Sequence, residues 1–411
     1  MPYSNWRYAQ QCYAETCGSP GPGPLPEVAT GAGLAARYYV LLRDPLGNQV
    51  AIFDHWKVLR FSHQLNDQGS LVFCIDGHDP RVPLFELDGQ IEVWRSVPGA
   101  GLDWYLEFES VIRDTVRQTL ANGAKHFTAL AFGPNSFLAR RIISYFASSP
   151  FASKSAPAET VMKEFVDENL GPGATAPPRP WIPGVMPGFS VQADSGWGGV
   201  WTGDRAFRNL LEVLQEIANF SGLDFNVVGI GPGAWEFRTY PGQLGQDRTT
   251  NGLDAATGLN AAGNAPVVFS LEYGNMTEPT YSLARSGERT AAYVLGSGQD
   301  LDRPVGIAVA PAAMADSPYN LLETSRGGAS QNTPAQLGDQ AVAELEKLQA
   351  QEKFSFKPLQ IPSTLYGLHY WWGDRITASY DGLVFHKKLV TVNVDMSNPD
   401  ERITMEFADL P

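Results

Sequence analysis

DRAFRNLLEVLQEIANFSGLDFNVVGIGPGAWEFRTY, residues 204–240, is the stretch whose reading decides the fold. Phe207, Leu210, Leu211, Leu214 and Ala218 recur at helical spacing, Asp204 stands where it can cap the first turn and Gly222 where it can close the last. The periodicity therefore predicts one amphipathic helix. Leu223, Phe225 and Val227 then alternate, glycines turn the chain at 229–233, and Trp235, Phe237 and Thr239 alternate again, which predicts a hairpin for the helix to pack against. The unit carries no chemistry. Mostly β chain lies on either side of it, so the fold class is α+β, predominantly β.

Working toward the N-terminus, 37–132 reads almost entirely as strand. Tyr38, Val40 and Leu42 alternate with Tyr39, Leu41 and Arg43, and the turn at 44–48 leads into a partner strand at 49–53. Further strands are expected at 56–65, 70–76, 90–95, 104–112 and 115–120, and Asn122-Gly123 is a strong hairpin signal. Short strands at regular spacing indicate a sandwich or barrel. Residues 1–33 combine Tyr3, Trp6, Tyr8 and Tyr13 with a Gly/Pro run that continues neither helix nor central strand. They read as an arm, either a disordered leader or an extension that docks on a neighbouring subunit.

Toward the C-terminus, helices are expected at 136–148 and 158–170. Residues 171–203 are a Pro/Gly-rich connector holding Trp181, Phe189, Trp197 and Trp201. Thr333-Pro334-Ala335-Gln336 opens another helix with Leu337, Ala341, Leu345 and Leu348 on one face. A small β unit closes the chain, with a turn at Asp381-Gly382, Val390, Val392 and Val394 on one face, and Ile403, Met405 and Phe407 on another. The expected organisation is an arm (1–36), a first β domain (37–134), a helical segment and connector (135–203), a second α+β domain (204–355) and a C-terminal β domain (356–411).

The chain has 411 residues, enough for several cores. Its formal charge of -14 lacks the clustered Lys and Arg that phosphate contacts need. No apolar run approaches the roughly 20 residues that span a bilayer, so no membrane insertion is expected. The N-terminal sequence has no secretory pattern, which implies synthesis in a cytoplasm. Three cysteines are too few for a disulfide framework, and the six histidines never take a metal-ligand spacing.

No nucleophile elbow, zincin helix, phosphate loop or calcium loop is present. Residues 76–81, Asp-Gly-His-Asp-Pro-Arg, read as a turn between strands. Glu107 and Glu109 share a strand face; a hydrolase could use such a pair across a cleft, whereas paired acids on a solvated face are common. The glycines at 229–233 lie between two strands and make a hairpin turn, not a dinucleotide loop. Trp181, Trp197 and Trp201 are candidate surface contacts, which a carbohydrate-binding β protein would use as stacking platforms. No catalytic, cofactor-binding or metal-ligating residue is expected.

The order of these pieces resembles the tail-tip (baseplate) hub proteins of long-tailed bacteriophages, of the siphophage tail-associated type. VLLRDPLGN at 40–48, LNDQG at 65–69, DPR at 79–81, FELDGQ at 85–90, ARRII at 139–143 and PAETV at 157–161 carry the resemblance, together with the opening helix. YPGQLGQDRT at 240–249 and FSLEYGNM at 269–276 extend it, and GDRIT at 373–377 resembles the start of the family's terminal β domain. The resemblance spans 39–298, with a weaker match at 372–409. It implies a homotrimer whose β domains form a ring at the virion tail tip. That ring would stack on the distal tail ring, enclose the end of the tape-measure protein, carry fibre or spike proteins and pass DNA without binding it specifically. An acidic lumen suits such passage. Many hubs continue into lysozyme, peptidase or host-facing regions; none follows within these residues, so wall cleavage and receptor binding are not expected.

Overall fold

The computed structural model describes residues 35–145, 149–175, 182, 184–298, 302–327, 333–397 and 401–409. All of the arm but Ala35 and Ala36 therefore lies outside the described residues, as does Trp181. The chain divides into a larger unit, 1–277 with 357–411, and a smaller one, 278–356.

A twelve-stranded sheet dominates the larger unit. Its first seven strands are β1 (Arg37–Arg43), β2 (Gln49–Phe53), β3 (Val58–Gln64), β4 (Ser70–Asp76), β5 (Gln90–Val97), β6 (Leu102–Thr119) and β7 (Lys125–Phe132). They run β3-β4-β7-β6-β5-β1-β2 in space, every neighbour antiparallel. The two strands expected at 104–112 and 115–120 are one. Residues between them make a bulge at Ile112/Asp114, and β6 bends there, giving its first half to β5 and its second half to β7.

Residues 356–411, expected as a separate β domain, continue this sheet. Leu383–Asp395 pairs with β3 from Thr391↔Gln64 to Asp395↔Arg60, and Arg375–Tyr380 and Arg402–Asp409 flank it. A three-stranded meander buries little by itself, and joining the large sheet lets Val392 and Val394 pack at 0% and 2% exposure. A register shift between Leu389 and Thr391 takes Val390 off that face, so Leu389 is buried in its place.

The predicted helix occupies Leu210–Ser221, its cap five residues later than Asp204. Asn209 is the cap: its side-chain oxygen accepts from the Glu212 N–H, while Gly222 ends the helix at φ +71°. Asp204 belongs instead to strand Val200–Arg205, which pairs antiparallel with Ala152–Pro157. The hairpin follows as expected, Asp224–Gly231 against Ala234–Tyr240, with Phe189–Val191 added in parallel. Helix Ala158–Asn169 matches its prediction, whereas 136–148 yields only the turn Ser136–Ala139. Beyond it Ile142 bridges Asn209 and the Ile143 N–H donates to the Arg208 carbonyl, so tertiary pairing displaces helix in a β-branched segment. The two long helices and the hairpin share one core, in which Phe165, Leu214, Phe225 and Phe237 are fully buried.

In the smaller unit, Val305–Val309, Ala291–Leu295 and Glu323–Gly327 form a three-stranded sheet with the middle strand at its centre. Helix Pro334–Lys347 packs on it and opens with the predicted capping box of Thr333 and Gln336. Gly306 permits the approach: a Cβ there would lie 2.1 Å from the Leu337 carbonyl carbon. The domain expected at 204–355 is thus divided, its helix and hairpin belonging to the larger unit.

Candidate functional site

Clamping of the hairpin leaves a concavity in the larger unit. Strand Asp224–Gly231 bonds to Ala234–Tyr240 along one edge. On the other edge no strand pairs with it among the described residues; side-chain oxygens take the N–H groups at every second residue. Phe225 donates to Asn66 Oδ1 at 2.8 Å, Val227 to Asn135 Oδ1 at 2.8 Å and Gly229 to Glu109 Oε2 at 3.0 Å. Asn66 holds φ at +57°, a conformation that asparagine tolerates well, at the tip of the β3–β4 turn. Asp224 completes the attachment by accepting from the Leu244 N–H at 2.6 Å and from Lys388 Nζ at 2.6 Å. Three point contacts leave space that a paired strand would have filled. The result is a crevice of about 440 Å³ bordered by 67–69, 102–109, 133–135, 226–229, 238–248 and 367–374.

Two buried carboxylates fix its walls. Glu107, 2% exposed, takes hydrogen bonds from His63 Nε2 and the Tyr366 hydroxyl, each at 3.0 Å. Burial alone would raise its pKa, but the bond from His63 and the charge of Arg95 hold it below the ordinary carboxylate value. Behind it Arg95, fully buried, donates to the Tyr105 hydroxyl at 2.8 Å and the Tyr366 carbonyl at 3.1 Å and pairs with Glu401. Burial raises Tyr105 and Tyr366 well above the usual phenol range, so both remain neutral donors. At the opposite end Asp374 accepts from the N–H groups of Gln246 at 2.6 Å and Trp371 at 2.8 Å, with Arg248 Nε at 3.3 Å. Desolvation pushes its pKa to about 6 despite these partners.

The pair Glu107 and Glu109 is therefore not on a solvated face. Both line the crevice, yet each is occupied in holding the fold. A glycosidase acid needs a raised pKa and freedom to reach a leaving group; Glu107 has the opposite shift, and Glu109 is committed to the Gly229 N–H.

Of the three tryptophans, Trp181 lies outside the described residues, and the other two differ in exposure. Trp201 is 6% exposed, edge-on to Phe165 with Arg205 4.9 Å above its ring, so burial overturns the surface contact expected of it. Trp197 is 36% exposed, and its loop is pinned from beneath by Glu159. That carboxylate is fully buried, pairs with Lys163, and accepts from the N–H groups of Ser195 at 3.2 Å and Trp197 at 2.8 Å and from Thr239 Oγ1 at 2.9 Å. Sequence reasoning passed over 366–374, YGLHYWWGD, which supplies Trp371 and Trp372 to the crevice. Two adjacent tryptophans before Gly-Asp were the available signal. The turn expected at 76–81 is present: Asp76 accepts from the His78 N–H and Asp79 from that of Arg81.

A family model described as Siphovirus ReqiPepy6 Gp37-like protein matches residues 39–407. Among solved structures, the chain is similar to the 43 kDa tail protein of prophage MuSo2 from Shewanella oneidensis, at 9% identity and a TM-score of 0.53, covering 90% of this chain and 98% of that one. It is also similar to a tail protein from Neisseria meningitidis MC58, at 14% identity and a TM-score of 0.48, over 90% and 97% of the two chains. A chain of the Francisella PdpA-VgrG complex in its lidded form matches at 9% identity with a TM-score of 0.52, covering 92% of this chain and 53% of that one. The first and third likenesses show the fold. The search of curated proteins gives no match.

Proposed function

The chain belongs to this siphovirus tail protein family and is a structural component of a phage tail, and from that premise we propose that it is the trimeric hub at the tail tip. The observation that carries the reading is the family match across 39–407; the fold shared along nearly the whole length of a prophage tail protein agrees with it. In this reading three copies close a ring that joins the distal tail ring and the tape-measure protein to fibre or spike proteins, and DNA passes through it on infection. The chain is made in the host cytoplasm and ends in the virion. Its role is assembly, not catalysis, which agrees with carboxylates committed to holding the walls of the crevice. The net charge of -14 suits a conduit that repels DNA instead of gripping it. Among the described residues the long sheet has unpaired outer edges on β2 and on the second half of β6, and strand edges are natural sites for contact between copies.

Light scattering on the purified chain, followed by negative-stain imaging, tests the proposal. The expected result is a three-fold ring with a mass near three times 44.7 kDa, alone or on addition of the distal tail protein. A particle that stays monomeric with that partner present refutes the hub.

A further inference from the structure

The crevice has the size and lining of a binding site. Its volume, about 440 Å³, lies within the roughly 300–1,000 Å³ typical of ligand pockets. Leu102 and Leu244 give it aliphatic wall, and Trp371 and Trp372 present half-buried rings. Asp67, Asp103, Glu107, Glu109 and Asp374 set five carboxylates against the guanidiniums of Arg238 and Arg248 and the ring of His63. Both guanidiniums are engaged, Arg238 with Glu236 and Arg248 with Asp374. The side chains of Asp67 and Asp103 take bonds from the N–H groups of Gln68 and Trp104, and no described Lys or Arg pairs with either.

These negative groups stand at two depths. Asp103 is exposed at the mouth, and Glu107, 2% exposed, lies four residues further along β6, a rise of about 13 Å. A β-bulge re-aims Glu107: Val93 pairs with Phe108 and Trp94 with Leu106, so no residue of β5 stands opposite it. Its Oε1 takes the bonds from both His63 and Tyr366, while its Oε2 has no hydrogen-bond partner among the described residues. Tyr105 helps to hold the charge without a hydrogen bond to that oxygen, and Arg95, which also acts on it, is paired with Glu401. A buried carboxylate oxygen without a donor is costly, and a ligand that brings one relieves the cost. Aliphatic and indole surface between two anionic ends selects a chain with a cation at each end. We propose that the crevice binds a linear aliphatic diamine or polyamine, one ammonium taken by Asp103 at the mouth, the other by Glu107 Oε2 on the floor, and the methylenes laid against Trp371 and Trp372. The inference does not depend on the hub reading and would hold for a monomer.

Isothermal titration calorimetry on the full chain at physiological salt tests it, with 1,7-diaminoheptane as the probe. The expected result is one site per chain, with affinity about tenfold above that of heptylamine, and no binding of 1,7-heptanediol. Asp103→Asn, at an exposed position whose change spares the core, should weaken the diamine about fivefold or more. Asp114→Asn, an exposed acid on the second half of β6 outside the crevice, should leave its affinity unchanged. Glu107→Gln should bring the diamine to within about twofold of heptylamine, and the comparison of the two amines on the unaltered chain decides the matter even where that variant folds poorly. A diamine that binds no tighter than heptylamine overturns the proposal. So does an equal loss in Asp114→Asn and Asp103→Asn, or full displacement by an equal concentration of magnesium ion, either of which would reduce the effect to diffuse attraction by an acidic surface.

Discussion

Glu159→Ala should destabilise the larger unit by about 3–5 kcal/mol, the usual consequence of removing one partner from a buried ion pair. Glu159 is fully buried and Lys163 is 4% exposed. Alanine would leave the ammonium with the Ala193 carbonyl at 2.6 Å and, as counter-charge, only the largely exposed Asp194 beside it. It would also strip acceptors from the N–H groups of Ser195 and Trp197 and from the Thr239 hydroxyl. Glu159→Gln keeps the shape and one acceptor and should cost less, about 2–3 kcal/mol, since bonds to charged groups are worth roughly 1.5–3 kcal/mol. Glu159→Leu with Lys163→Met removes both charges and should regain most of the loss. The assay is denaturant unfolding followed by tryptophan fluorescence. All ten tryptophans lie outside 278–356, so the signal reports on the larger unit alone. A loss below 1 kcal/mol for Glu159→Ala, or a double variant as unstable as the single one, would refute the reasoning.

Burial raises the Asp374 pKa to about 6, above its unfolded value near 4, so its contribution to stability is fully present below about pH 4 and lost as pH rises through 6. The step is at most about 3 kcal/mol, and Asp374→Asn should flatten the fluorescence-detected stability profile between pH 4 and 6. Glu107 is shifted down, so its contribution is present above pH 4.5 and lost as pH falls through its lowered pKa; Glu107→Gln should lower the plateau above pH 4.5 and flatten that acid limb. Asn135→Ala leaves the buried Val227 N–H without its acceptor and should cost about 1–3 kcal/mol, seen as faster hydrogen exchange at Val227 than at its neighbours. Gly306→Ala drives a methyl into the Leu337 backbone and should lower hydrogen-exchange protection across 291–309 by an amount equivalent to about 1–3 kcal/mol, with the tryptophan-detected transition unmoved.

Local rules were enough for the helix, the hairpin, the Thr333 capping box and the turn at 76–81, because each is decided within a few residues of chain. The errors fall where a distant partner decides. Asp204 satisfies every rule for a helix cap, yet 152–157 recruits its segment as a strand. Ile142 has helical neighbours, but Asn209 bridges it. Nothing near 383–395 says that β3 lies far upstream ready to pair, at Gln64 for Thr391 and Arg60 for Asp395, so a sheet strand read as a separate domain. The candidate site was less legible still. Glu107 and Glu109 were recognisable as sharing a face, but whether that face meets water or Tyr366 depends on a contact 259 residues away. Trp201 read as a platform because aromatic residues in a Pro/Gly-rich stretch look the same whether they pack inward or outward.

Side-chain clamping of the hairpin explains why the crevice exists. A strand edge carries N–H groups at alternate residues, and in a sheet a neighbouring strand satisfies them continuously while closing the space between. Here Asn66, Asn135 and Glu109 satisfy them at three points spaced along the edge of 224–231. The main-chain hydrogen bonding is preserved and the gap is not closed. A backbone partner would also have brought a carbonyl and an N–H in equal number, whereas a carboxylate brings a charge. An edge held by side chains at separate points thus makes its own cavity, and the one acid among the three, Glu109, puts a charge on its wall. Exchanging Glu109 for Gln separates the two contributions. The Gly229 N–H keeps an acceptor and the hairpin stays in place while the wall loses one charge, so the unfolding midpoint should hardly move. A loss of more than about 1.5 kcal/mol would show that the charge itself, and not only the acceptor, holds the hairpin.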